Sequence, residues 1–213
     1  MQIAIALFDR FTALDAIGPY QVLVNIPDAE VVFVAERSGP VADDHRSLRL
    51  EAEAAFADVP RPGIVVVPGG PGQSGQMDDG PLRQWLLAAD QTSEWTTSVC
   101  TGALILAGAG LLANRRATTH WLAMDELRRL GAVPVTERVV EDGKYVTGAG
   151  VSAGIDMALT LAGRIAGDVV AQSIQLGTEY DPQPPYDAGS PAKAPAEIVA
   201  AQRSMSRFIL TGR

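Results

Sequence analysis

In Thr96-Thr-Ser-Val-Cys-Thr-Gly-Ala-Leu-Ile105 a short strand-like run stops at Cys100, a small-residue turn follows, and an apolar helical pattern begins. A strand that hands over directly to a helix in this way belongs to a parallel sheet covered by helices. The segments on either side repeat the alternation. Strands are predicted at Ile3–Leu7, Val31–Ala35, Ile64–Val67, Thr96–Val99 and Tyr145–Thr147. Helices are predicted at Pro19–Val24, Pro81–Ala89, Ala103–Ala107, Trp121–Leu130, Ile155–Ala166 and Val169–Leu176. The expected class is therefore α/β, with a mostly parallel central sheet covered on both faces.

Trp95–Asn114 carries no charge and is long enough to cross a bilayer. Its threonines and glycines, and the change from strand to helix pattern at Cys100, favour a buried strand-turn-helix instead. Val41–Phe56 mixes charges with few apolar residues and suggests a β-excursion from the main sheet. Asp142-Gly143, between Val139-Val140 and Tyr145-Val146, is a hairpin signal. Asp181–Pro195 carries five prolines, so an extended surface segment is expected before a final helix from Glu197 to Phe208.

With 213 residues, 47% hydrophobic and 20% charged, and with no repeat or linker, residues 1–213 read as one domain. A net charge of −8 disfavours nucleic acid and anionic membranes and points to small-molecule or protein partners. The N-terminal apolar run breaks at Asp9-Arg10, so no export signal is expected. One cysteine excludes an intramolecular disulfide, and two histidines leave no zinc-ligand spacing. The expectations are a reducing cytoplasm, no metal and no organic cofactor.

Three groups follow predicted strands and so meet at one edge of the sheet. Cys100, at the turn into a helix, is placed as a nucleophile whose thiolate the helix N-terminus and backbone N–H groups favour; the alternative is a small buried hydrophobe. Pro68-Gly-Gly-Pro-Gly72 follows Ile64–Val67, and the N–H groups of Gly69 and Gly70 suit an oxyanion site, or simply a turn. Asp15 is expected in the turn before a helix starting at Pro19, either as a protonated general acid beside the cysteine or as a helix cap. His120 is a candidate orienting group or base, with a cap or core role as the alternative, and His45 reads as solvated. Gly148-Ala-Gly150-Val-Ser-Ala-Gly154 has the look of a dinucleotide loop but comes too late in the chain, and reads as a structural turn.

Leu14-Asp-Ala-Ile-Gly-Pro19, Pro68-Gly-Gly-Pro-Gly72, Ser98-Val-Cys-Thr-Gly102, Arg116-Ala-Thr-Thr-His-Trp121 and Thr147-Gly-Ala-Gly-Val-Ser-Ala-Gly-Ile-Asp156 together resemble the DJ-1/PfpI superfamily, and within it the isocyanide hydratases. Glu179-Tyr180, Pro184-Pro185 and Ala188-Gly-Ser-Pro191 extend the resemblance into the tail. It implies a flavodoxin-like three-layer sandwich with a strand–cysteine elbow–helix, a homodimer, and a Cys100 thiolate beside a protonated Asp15. It further implies that Thr101 and the Gly70 N–H position the reacting atoms, with no cofactor. PfpI-type proteases have histidine after the cysteine where this chain has Thr101, which argues against peptidase activity. The expected reaction is hydration of an isocyanide to an N-substituted formamide. The alternatives are a redox-sensing stress protein or a ligand-binding domain related to AraC-type regulators. The acidic chain, ending at Arg213, leaves no expectation of a DNA-binding region.

Overall fold

The computed structural model of the chain describes residues 1–206. Its strands are β1 (Gln2–Ala6), β2 (Glu30–Ala35), β3 (Gly39–Ala42), β4 (Arg49–Ala52), β5 (Ala54–Ala55), β6 (Ile64–Val67), β7 (Trp95–Val99), β8 (Arg116–Ala117), β9 (Val133–Pro134), β10 (Val139–Asp142) and β11 (Tyr145–Gly148). Its helices are α1 (Ala13–Leu23), α2 (Pro81–Asp90), α3 (Gly102–Gly108), α4 (Met124–Arg129), α5 (Ala153–Ala166), α6 (Asp168–Gly177) and α7 (Ala196–Ser204).

Seven strands form the central sheet in the order β10-β11-β7-β6-β1-β2-β5. All pairs are parallel except the edge pair β10–β11. All four residues of β6, Ile-Val-Val-Val, are buried, as a strand covered on both faces requires. This is the α/β class with a mostly parallel sheet that the alternation of runs predicts, and the flavodoxin-like architecture that the family resemblance implies. Chain order runs to opposite sides of β1, with β2 on one flank and β6 on the other, so the carboxyl ends of β1 and β6 border the switch point where open α/β sheets bind ligands.

The uncharged stretch Trp95–Asn114 is β7 followed by α3, and among the described residues no helix is long and apolar enough to cross a membrane. The expected excursion consists of the β3–β4 hairpin, and β5 returns to the edge of the main sheet. Asp142-Gly143 turns the hairpin, with Gly143 at φ 62°. The tail after Asp181 is extended and largely exposed, and α7 closes it. Residues 207 and 208 of the expected last helix lie outside the described residues.

Two expectations need correction. Helix α1 begins at Ala13, six residues before Pro19, so Asp15 sits in its first turn rather than in the preceding loop. Pro19 cannot donate to the carbonyl of Asp15, a cost inside a helix, but its burial against the α5 start offsets it: a Cβ at Gly154 would stand 3.2 Å from Pro19 Cδ. The expected helix Trp121–Leu130 is instead a 3₁₀ turn at Trp121–Ala123 followed by α4, because the His120 side chain caps the chain there and tightens its first turn.

Candidate active site

Four adjacent strands, β11, β7, β6 and β1, deliver four loops to the same edge, and Cys100 stands among them. Its φ is 56°, a left-handed conformation that an L-residue holds only when its surroundings enforce it, at a cost of about 1–3 kcal/mol. The enforcing bonds are plain. The Cys100 N–H donates to the carbonyls of Gly148 (3.0 Å) and Ala149 (2.8 Å), and the Thr119 hydroxyl donates to the Cys100 carbonyl at 2.8 Å. Gly102 lets α3 start hard against the end of β6, since a Cβ there would lie 2.1 Å from the Val67 carbonyl oxygen. Gly69 does the same from the other side, with a Cβ that would meet Thr101 N at 2.4 Å.

Asp15 is fully buried, and its Oδ2 accepts the Gly69 N–H at 2.9 Å. Its carboxyl lies close enough to the Cys100 thiol for its charge to act on the sulfur, and Cys100 is itself fully buried. Thr101 Oγ1 accepts the Gly70 N–H at 2.9 Å. The structure therefore brings Cys100, Asp15, Thr101, Gly69 and Gly70 together, but it corrects the part given to the glycines. Their N–H groups already hold Asp15 and Thr101, so they orient the protein's own side chains instead of facing a substrate oxygen.

Electrostatics also depart from expectation. Burial pushes the Cys100 thiol well up, and the neighbouring Asp15 charge pushes it further. The backbone N–H groups of Val151 and Thr101 pull it down by a smaller amount. Desolvation thus outweighs the backbone donors around the sulfur, contrary to the expectation of a favoured thiolate. Two anions in contact in this interior are unfavourable, so the pair retains one proton between them.

The Val151 donor comes from the glycine turn between β11 and α5, which the sequence marks only as structural. Val151 has φ 24°, unusual for a β-branched residue. The legible signal is position: this turn also follows a parallel strand, the one beside β7. His120 caps the 3₁₀ turn, its Nδ1 accepting the Leu122 N–H at 3.3 Å, and its ring lies against Gly150 and tilts over Trp121. It walls a cavity of about 440 Å³ beside the elbow. His45 is exposed, 3.7 Å from Asp44. Among the described residues no cluster of three or more His, Cys, Asp or Glu side chains is placed to hold a metal ion.

The DJ-1/PfpI family model matches residues 1–164. The chain is 44% identical to an isonitrile hydratase of Pseudomonas putida over 203 residues, 95% of this chain and 89% of that protein. It superposes on the crystal structure of a THiJ/PfpI family protein from Pseudomonas syringae with a TM-score of 0.92 at 35% identity, covering 95% of this chain and 84% of that one. It also matches the HTH-type transcriptional regulator CdhR of Pseudomonas aeruginosa at 38% identity, but over 46% of this chain and only 30% of the regulator.

Proposed function

The chain belongs to the DJ-1/PfpI family, and we propose that within it the protein is an isocyanide hydratase, a hydro-lyase that converts R–NC and water to R–NH–CHO. The observation that carries this is the near full-length likeness to an isonitrile hydratase, with a buried Cys100–Asp15 pair at the switch point. Likeness to the regulator covers under a third of that protein and supports a shared fold element, not a shared role.

The pair's single proton can sit on sulfur, the form that burial and the Asp15 charge favour, or on Asp15; the reactive form is the second, a Cys100 thiolate beside an Asp15 carboxylic acid. The sulfur attacks the terminal isocyanide carbon, forming a C–S bond, and Asp15 delivers its proton to that carbon. The product is a thioimidate, R–N=CH–S–Cys100. Water then adds to the same carbon, the nitrogen takes a proton, the C–S bond breaks, and the formamide leaves while the pair regains its proton. Two modest steps replace one difficult hydration.

Gly69 holds the acid, Gly70 holds Thr101, and the Val151 and Thr101 N–H groups support the charged sulfur. His120 shapes the adjoining cavity. The same proposal takes residues 1–213 as one domain, acting without metal or organic cofactor, as a homodimer in the cytoplasm. A single buried cysteine suits a reducing compartment.

The test is formamide formation from phenyl isocyanide, with Cys100→Ala in parallel. Turnover by the wild type and none by the variant supports hydration; no turnover by the wild type above buffer overturns it.

A further inference from the structure

The two peptide groups of Cys100 are held from different parts of the chain. Its N–H donates to the Gly148 and Ala149 carbonyls, and its carbonyl accepts the Thr119 hydroxyl at 2.8 Å. The first grip follows from the central sheet, because β11 lies beside β7 with Gly148 opposite Val99. The second does not. Thr119 comes just after β8, which pairs with β9 in a separate two-stranded sheet, so no strand pairing of the central sheet places it.

Thr147 is what ties that segment down beside the elbow. Its Oγ1 accepts the Thr118 N–H at 2.9 Å, and Thr118 directly precedes the residue whose hydroxyl reaches Cys100. Thr147 in turn directly precedes Gly148, which accepts from Cys100. The bonds therefore close a ring: Cys100 to Gly148, along β11 to Thr147, across to Thr118, on to Thr119 and back to Cys100. A further tie, from the Arg116 N–H to Asp142 Oδ2 at 2.8 Å, is exposed and sits farther along the chain from Thr119.

Cys100, Thr118, Thr119 and Thr147 are all buried, so bulk water does not readily replace a partner lost from the ring. The left-handed backbone at Cys100 persists only while its surroundings over-determine it. Opening the ring removes one of those restraints. Thr147 is not among the residues that line the cavity beside the elbow, and among the described residues its one side-chain hydrogen bond is to Thr118. Any effect it has on chemistry passes through the ring.

We propose that Thr119 and Thr147 are positioning residues, and that the ring they close holds the Cys100 backbone where its sulfur meets Asp15 and the Val151 and Thr101 N–H groups. Neither threonine makes or breaks a bond. The kinetic consequence rests on the hydratase function proposed above, whereas the setting of the sulfur does not.

The test uses the full-length protein as Thr119→Val, Thr147→Val, Thr119→Ser and the double valine variant. One readout is kcat and KM for formamide release from phenyl isocyanide. The other is the rate at which iodoacetamide alkylates Cys100, which needs no hydratase activity. Each single valine variant should lower kcat by roughly 10–100-fold, the scale on which a misplaced reacting group costs rate, with KM nearly unchanged. Alkylation should slow severalfold, since the thiolate reacts and its N–H donors are no longer aligned. Thr119→Ser keeps the hydroxyl and should recover most of the lost kcat. The double variant should fall no further than the worse single one, because both changes open the same ring. Either single valine variant suffices if the other fails to fold. Folded valine variants with wild-type kcat and alkylation, multiplying losses in the double variant, or no recovery with serine would overturn the assignment. If the wild type does not turn over isocyanide, the hydratase reading falls and alkylation alone decides: slowed supports the ring, unchanged or faster overturns it.

Discussion

Asp15 Oδ2 accepts the backbone N–H of Gly69 at 2.9 Å, across 54 residues of chain. The bond exists because β1 and β6 are neighbours in register, Ile3 beside Ile64, so the loops that follow them meet. With Oδ2 committed as an acceptor, Oδ1 is the oxygen left to carry a proton. One amide thus fixes both the direction of the carboxyl and the position of its acid hydrogen.

Asp15→Asn should keep the fold and abolish most turnover. The carboxamide oxygen still accepts from Gly69 and its NH₂ faces the sulfur, but it has no acid proton to give. Losing a positioned acid typically costs roughly 10²–10⁴ in rate. Asp15→Glu keeps the acid and should fall less. Formamide release and a thermal melt on the same samples check this, and wild-type turnover by the asparagine variant would return Asp15 to a helix-cap role.

Thr101→Val removes the acceptor of the buried Gly70 N–H. An orphaned buried donor costs about 1–3 kcal/mol, which denaturant unfolding would register. Turnover should fall as well, though less than in Cys100→Ala, since Thr101 orients rather than bonds. Undiminished stability and rate would show that its hydroxyl has no role.

Gly102→Ala removes no chemical group, yet its Cβ would stand 2.1 Å from the Val67 carbonyl oxygen, a backbone atom that cannot swing aside. The elbow must shift. A stability loss of about 1–3 kcal/mol or more is expected, with a loss of turnover that a surface glycine such as Gly75, which has open space around it, would not share.

Stability should fall with rising pH because of Cys100. An unfolded thiol ionises near pH 8.5, whereas burial and Asp15 hold the folded group's proton to well above that. Between the two values the unfolded chain releases a proton that the folded pair keeps. The contribution is therefore whole below about pH 8.5 and shrinks above it, by up to about 1.4 kcal/mol per pH unit. Tyr145, pushed up to about 12 by burial and by Asp90, adds the same sign from about pH 10 upward. Urea unfolding between pH 8.5 and 10 should show the slope in the wild type and not in Cys100→Ala; equal slopes would mean that the pair does not retain its proton.

Much of this was legible in the chain. Ile64–Val67 and Thr96–Val99 are compact apolar or β-branched runs ended by turn residues, and both are strands with the expected loops after them. Asp15, Gly69, Gly70, Cys100 and Thr101 do converge. Less was legible of what each does there. Glycine positions are visible in a sequence, but the acceptors their N–H groups meet are set by the approach of separate loops, which is why Gly69 and Gly70 looked free. Val151 carries its function in a backbone N–H that every residue but proline has, so no side chain announces it. Pro19 looked like a helix start because proline is common there; only the packing of α1 on α5 reveals a helix that passes through it.

The most direct measurement is intact-protein mass spectrometry of the wild type mixed briefly with benzyl isocyanide and quenched in acid, followed by peptide mapping. Covalent hydration predicts a protein heavier by one whole isocyanide, located on Cys100 and gone once substrate is exhausted, with no adduct and no formamide from Cys100→Ala. Formamide release with no adduct, undiminished in Cys100→Ala, would contradict it.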